Sequence, residues 1–140
     1  MANTRLTVVV RKDLQLPEGL LAAQTTHLAM EFIRQMVQTA VTSATESKVP
    51  YPQSASIDFN EIEKEWVLTP YISILGVECK EDLESVLGAA QQESLPVNTW
   101  IDTIPSPTWE GINMKALVGV AIGPADFDAI KVVTGGLKRY

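Results

Sequence analysis

The only histidine of the chain, His27, follows Gln24 by three residues in the run Gly19-Leu20-Leu21-Ala22-Ala23-Gln24-Thr25-Thr26-His27. On a helix that spacing puts both side chains on one face. An imidazole, with a reference pKa of about 6.5, can take a proton from water near neutral pH, which is the task of a general base in hydrolysis. Gln24 could hydrogen-bond a substrate there, or satisfy a buried backbone group. Farther along, Asp102 closes the run Val97-Asn98-Thr99-Trp100-Ile101. A carboxylate can accept a proton, but one just after a strand is also a common turn or capping residue. Trp109 follows Pro105 and Pro107 and could stack on a base or an aromatic ligand, or pack beneath its own loop. One His and one Cys cannot build a zinc site, and no spaced Asp/Glu motif asks for a hard cation. Neither a metal nor a cofactor is expected, since the segment 123–125 also lacks the glycine spacing of a phosphate-cradling loop.

These side chains need a scaffold, and the hydrophobic pattern supplies one. Residues 6–10 form a short β-branched run without strict alternation, as expected of a central strand covered on both faces. Pro17 and Gly19 then punctuate the chain before a helical pattern over 20–41. Its apolar face carries Leu21, Leu28, Phe32 and Met36 with Ala29, Ile33, Val37 and Ala40. The opposite stripe holds Leu20, Gln24, His27, Glu31, Gln35 and Gln38, of which Leu20 alone is apolar. Residues 42–56, with Pro50 and Pro52, read as a surface connection. A second strand is predicted over 71–77, a helix over 80–95 burying Leu83, Val86, Leu87 and Ala90, and a third strand over 97–101. Two prolines make 103–111 a loop. A fourth strand spans 115–122, Gly123-Pro124 is expected to open a last helix, and Thr134-Gly135-Gly136 to end it in a left-handed cap. Alternating strands and helices argue for one α/β domain over 1–140, a three-layer sandwich with a mixed four-stranded sheet and helices on both faces. Its sheet should include Val8, Val10, Ile74, Val118 and Val120 as buried residues.

A chain of 140 residues with 46% hydrophobic and 20% charged residues is ordinary for one globular domain. No apolar run approaches the roughly 18 residues that span a bilayer, and Met1-Ala2-Asn3-Thr4-Arg5 lacks the apolar core of a signal peptide. A soluble, cytoplasmic protein without a membrane partner is the expectation. The lone Cys79 excludes an internal disulfide and reads as an inert buried thiol. A formal net charge of −6 is awkward for a nucleic-acid partner, because phosphate neutralisation supplies most of such affinity. The sign is uneven, though. Acidic residues crowd 58–65 and 78–84, while Arg11, Lys12, Lys115, Lys131, Lys138 and Arg139 lie near the ends of other elements and could form a basic edge.

The opening block Val10-Arg11-Lys12-Asp13-Leu14, continued through Gly19, Ala22-Ala23-Gln24 and His27, resembles the type II peptidyl-tRNA hydrolases, which run V-R-x-D-L-x-M-x-x-G-K-x-A-A-Q-x-x-H. Trp66, Asp102, Gly111, Ile122-Gly123-Pro124 and Thr134-Gly135-Gly136-Leu137 follow in family order, so the resemblance covers nearly the whole chain. It implies hydrolysis of the ester joining a peptide to the terminal ribose of tRNA. The implied site is His27 as general base, Asp102 as its partner, and Ser106 at the threonine of the family's D-A-G-R-T-like segment. Gln24, Lys12, Lys115 and Trp109 would contact substrate. The implied partners are peptidyl-tRNA or a small acyl ligand, and a second copy of the chain in a homodimer. Two departures stand out: Leu20 occupies the family's lysine position, and Pro105 replaces the arginine. The alternative is therefore a divergent small-molecule-binding or protein-interaction domain that keeps the fold without the hydrolysis.

Overall fold

The computed structural model describes residues 3–46 and 54–140. Its elements are β1 (Thr4–Arg11), α1 (Glu18–Glu46), α2 (Glu61–Leu68), β2 (Ile72–Val77), α3 (Lys80–Gln92), β3 (Val97–Pro105), β4 (Asn113–Asp126), α4 (Phe127–Thr134) and β5 (Lys138–Arg139). The strands form one open, mixed sheet in the order β3-β4-β1-β2-β5. β1 runs parallel to β2, and the other pairs are antiparallel. The sheet thus has five strands where four were expected. The fifth is only Lys138 and Arg139, paired with Gly76 and Leu75, and two charged residues carry no hydrophobic period to read.

β1 sits between β4 and β2 and is buried on both faces. Val8 and Val10 join a core with Leu28 and Phe32 of α1 and Trp66 of α2, while Val9 faces Leu83, Val86 and Ala90 of α3 and Ile130 of α4. That two-sided burial explains the unbroken β-branched run. Val118 and Val120 are buried as expected, but Ile74 is 39% exposed because β2 lies outside β1, towards the sheet's margin. In α1 the expected core face holds at Leu28 and Phe32, with Leu21, Ala29, Ile33 and Met36 packed beside them. Val37 is exposed instead. The helix also continues past 41 to Glu46, taking in the start of the expected connection, and the segment with Pro50 and Pro52 lies outside the described residues.

The short helix α2 went unread in the sequence, although its signature is there. The Asn60 side chain accepts from the Glu63 amide at 2.8 Å, and the Glu63 carboxylate accepts from the Asn60 amide at 2.9 Å, a reciprocal capping box. Two other expectations are corrected. β3 continues through 103–105 because it is an edge strand, so Pro105 can pair with Asn113 without needing a donor on its free side. Gly123-Pro124 does not open a helix. It lies inside β4, where two residues oppose Leu6 of β1 in a bulge, and α4 begins only at Phe127. A Cβ on Gly123 would come within 2.5 Å of the Arg5 carbonyl oxygen, so the position needs glycine. Nor does α4 end in a left-handed cap, for Gly135 keeps right-handed helical angles.

A second bulge in β4, between its pairings with Trp100 and Ile101, inserts Val118 and brings Gly119 opposite Trp100. A Cβ on Gly119 would sit 2.6 Å from the Val9 carbonyl oxygen and 2.7 Å from a Leu28 methyl. The missing side chain is what lets α1 lie this close to the sheet. Gly119→Val should therefore destabilise the fold by about 1–3 kcal/mol through overpacking, read as a lower urea midpoint at unchanged slope. An unchanged midpoint would mean that α1 is not seated against this strand.

Candidate active site

The polar stripe of α1 lies along the edge strand β3. Strand alternation places Asn98, Trp100, Asp102 and Ile104 on one face, and Trp100 and Ile104 pack in the core that contains α1, so all four look towards the helix. The two elements meet at three successive stations. Gln35 donates to Asn98 at 2.8 Å, His27 stacks on Trp100, and Gln24 donates from Nε2 to Asp102 at 2.9 Å. The stacked rings are 4.3 Å apart and 10° from parallel.

Asp102 is held as an anion. The Gln24 hydrogen bond, above all, and then the backbone N–H of Thr103 at 2.8 Å keep its carboxyl below the usual aspartate value, against a smaller opposing effect of desolvation. The nearby imidazole and the Trp100 indole pull in the same direction more weakly. Glu31 is also lowered, first by its hydrogen bond from Arg34 and then by Gln35 and the charge of His27. His27 therefore stands within electrostatic reach of two carboxylates. It makes no hydrogen bond to Asp102; the two are joined through Trp100, which touches the one with its ring face and influences the other with its indole N–H. Two buried polar atoms here lack a hydrogen-bond partner, Gln24 Oε1 and Trp100 Nε1. The Trp100 contact with Asp102 is thus weaker than a formed hydrogen bond.

Beside the stack opens a cleft of about 680 Å³, walled by Ala22, Ala23, Thr26 and Met30 on the outer side of α1 and by Trp100 opposite, with His27 at its rim. An exposed imidazole over a cleft, next to a buried amide that fixes an anionic carboxylate, suits hydrolysis of an acyl bond. Residues 4–140 match the family Peptidyl-tRNA hydrolase PTH2. The chain belongs to this family. No curated protein matches it. Membership in the peptidyl-tRNA hydrolases carries a hydrolase-like function at family level and peptidyl-tRNA as the family's substrate.

Within that family frame, the geometry gathers some of the expected residues and separates others. Gln24, His27 and Asp102 converge. Ser106 lies four residues beyond Asp102, about 13 Å along the chain, and its hydroxyl accepts from the amides of Thr108 and Trp109, so it shapes the loop at the hairpin tip. Trp109 in that loop is 69% exposed and does not pack beneath it. Lys115 lies between Met114 and Ala116, which both face α1, and so points to the other side of the sheet. Lys12 borders a separate cleft with Lys138, Glu78 and Asp82, 3.9 Å from the Glu78 carboxylate. Arg11 is buried and paired with Asp13 at 2.8 Å. The basic edge read from sequence is thereby interleaved with carboxylates. Leu20, one turn before Gln24, packs against the core with Leu21. Glu31 stood in the polar stripe without an assigned role, while Trp100 and Arg34 were given none and lie outside that stripe. Among the described residues no group of three or more His, Cys, Asp or Glu side chains is gathered to hold a metal, and no helix is long and apolar enough to cross a membrane. At Cys79 the Asp82 amide favours the thiolate, but desolvation and the Asp82 and Glu81 carboxyls outweigh it and push the thiol up.

Gln24→Met removes the main donor to Asp102 while keeping the volume. The Asp102 titration, followed by carboxyl NMR, should move up towards the ordinary value. The pair's stabilisation is complete above about pH 4, the unfolded aspartate value, and fades as pH falls through the lower folded value. The stability gap between the natural chain and Gln24→Met should therefore shrink on acidification. A gap that stays constant with pH would show that Gln24 acts by packing alone.

Proposed function

We propose that this chain hydrolyses the ester between a peptidyl group and tRNA, with His27 as general base and Asp102 as the fixed anion that orders the site. The observation that carries the reading is the position of His27, flat on Trp100 at the cleft's rim and within electrostatic reach of Asp102 and Glu31. In this mechanism His27 takes a proton from water as the oxygen attacks the ester carbon. The tetrahedral intermediate then expels the ribose oxygen, which recovers the proton from the imidazolium, leaving free tRNA and a peptide carboxylic acid that releases its proton to solvent. Asp102 is the poorer base, since its depressed pKa weakens its pull on a proton near neutrality. Its negative charge favours the imidazolium that forms. Gln24 keeps Asp102 in place with Nε2, while its Oε1 stays buried behind the residues that line the cleft. Ser106 and Trp109 belong in this reading to a loop that meets substrate outside the cleft. Lys12 and Lys115, on other faces, serve phosphates remote from the reacting bond.

The weak point of this machinery is the oxyanion. Preorganised donors aimed at the carbonyl oxygen are commonly worth about 3–4 kcal/mol each, and neither Leu20 nor Pro105 can supply one. Arg34, which borders the cleft, is already paired with Glu31. This favours slow turnover, and it is also the specific observation behind the second reading, a domain that binds an acyl ligand without cleaving it.

Hydrolysis of N-acetylaminoacyl-tRNA separates the two. His27→Ala should lower turnover by a factor on the order of 10²–10⁴ with the fold intact by circular dichroism. Full activity in His27→Ala would move the role of base to Asp102. Leu20→Lys, one helical turn from Gln24, should raise the rate by restoring a cation. No hydrolysis by the natural chain and none gained in Leu20→Lys would leave the binding-domain reading.

A further inference from the structure

The cleft has a chemistry of its own that the proposed hydrolysis does not use. Ala22, Ala23, Met30 and the Trp100 ring give it largely carbon walls, with the Thr26 hydroxyl turned back on α1 to the Ala22 carbonyl at 2.7 Å. Its two charged neighbours neutralise each other. Arg34 donates from Nε to Glu31 at 2.9 Å and from a terminal nitrogen to Gln38 at 3.2 Å, and Glu31 receives Gln35 as well. Among the described residues, nothing bordering the space offers an unpaired cation to a phosphate. A nucleotide seated here would have to bring its phosphate against an already satisfied ion pair, and a charged acyl side chain would have to break that pair. Neither penalty applies to an uncharged apolar group.

From this we propose that the cleft between α1 and Trp100 is a subsite for the apolar side chain of the acyl group, so that the chain discriminates among its ester substrates by the residue next to the scissile bond. The identity of the ester rests on the hydrolase reading above, whereas the subsite itself does not. The position is suitable, because His27 at the rim adjoins a group one or two bonds removed from a side chain lying in the cleft. Met30, 58% exposed, forms a movable wall. An unbranched thioether adapts to different shapes, so the subsite accepts a range of apolar side chains and excludes charged ones.

The test is an NMR titration of the full chain with N-acetyl-L-leucinamide, following the Trp100 indole signal and the Thr26 and Met30 amides, with the indole of the buried Trp66 and the Leu137 amide as internal controls. Leucinamide should shift the first set saturably and leave the controls in place. N-acetyl-L-aspartyl amide should bind about tenfold or more weakly, within the range that a hydrophobic pocket provides. Ala23→Leu, an exposed helical substitution that fills the cleft, should weaken leucinamide binding by a similar factor. Met30→Ala should shift preference towards N-acetyl-L-tryptophanamide, which keeps the test decisive if the first variant perturbs the helix. Adenosine 5′-monophosphate moving the same signals with higher affinity would overturn the proposal in favour of a nucleotide subsite. So would the absence of leucinamide shifts, or binding unaffected by both variants. Leucinamide binding without hydrolysis of any tRNA ester would instead sustain the subsite and defeat the hydrolase reading.

Discussion

The close seating of α1 on the edge of the sheet is the constraint from which the site follows. Gly119 lets the Leu28 methyl approach the backbone where any side chain would collide with it. At this separation Gln24 and Glu31 of the polar stripe are buried, while His27, Gln35 and Gln38 stay exposed. A polar group that the stripe buries needs a partner. Gln24 is 98% buried and finds Asp102; Gln35 finds Asn98. The catalytic candidates are thus products of packing as much as of chemistry, since the apolar side of α1 fixes the depth at which its polar side is held.

How much of this was legible follows the reach of the signals. The helical period over 20–41 showed both the buried face and the polar stripe, and the β-branched run before it gave the central strand, because both are local regularities repeated over several residues. The family resemblance supplied Asp102, which no spacing links to His27. What the sequence hid was tertiary. Whether Pro105 ends a strand depends on whether that strand has a neighbour on its free side, and β3 has none. Whether Gly123-Pro124 starts a helix or kinks a strand depends on Leu6, more than a hundred residues away in sequence. Lys115 looked available to the site until alternation along β4 turned it to the opposite face. α2 is the different case, where Asn60 and Glu63 announced a helix start that the local reading passed over.

Trp100 connects the two halves of the site, and its value comes from having two kinds of surface. Its ring face carries His27 and restricts the imidazole to one plane, which lowers the entropy lost when a substrate is engaged. Its indole edge lies towards Asp102 and leans on the carboxylate's charge without a formed hydrogen bond. An aliphatic residue in the same place could fill the volume but could do neither.

The loss of basic residues at 20 and 105 bears differently on structure and on chemistry. A partly desolvated carboxylate needs a partner to favour its charged form, and a cation is a usual one. Asp102 does not need the cation, because the Gln24 amide and the Thr103 N–H favour its charged form through neutral donors. Leu20 can then join the apolar packing beside Leu21 at no electrostatic cost to the site. The anion is thus kept in place without a lysine on α1. In the proposed hydrolysis a lysine there would supply positive charge at the developing oxyanion, which is felt only in the transition state, so the resting site stands without it.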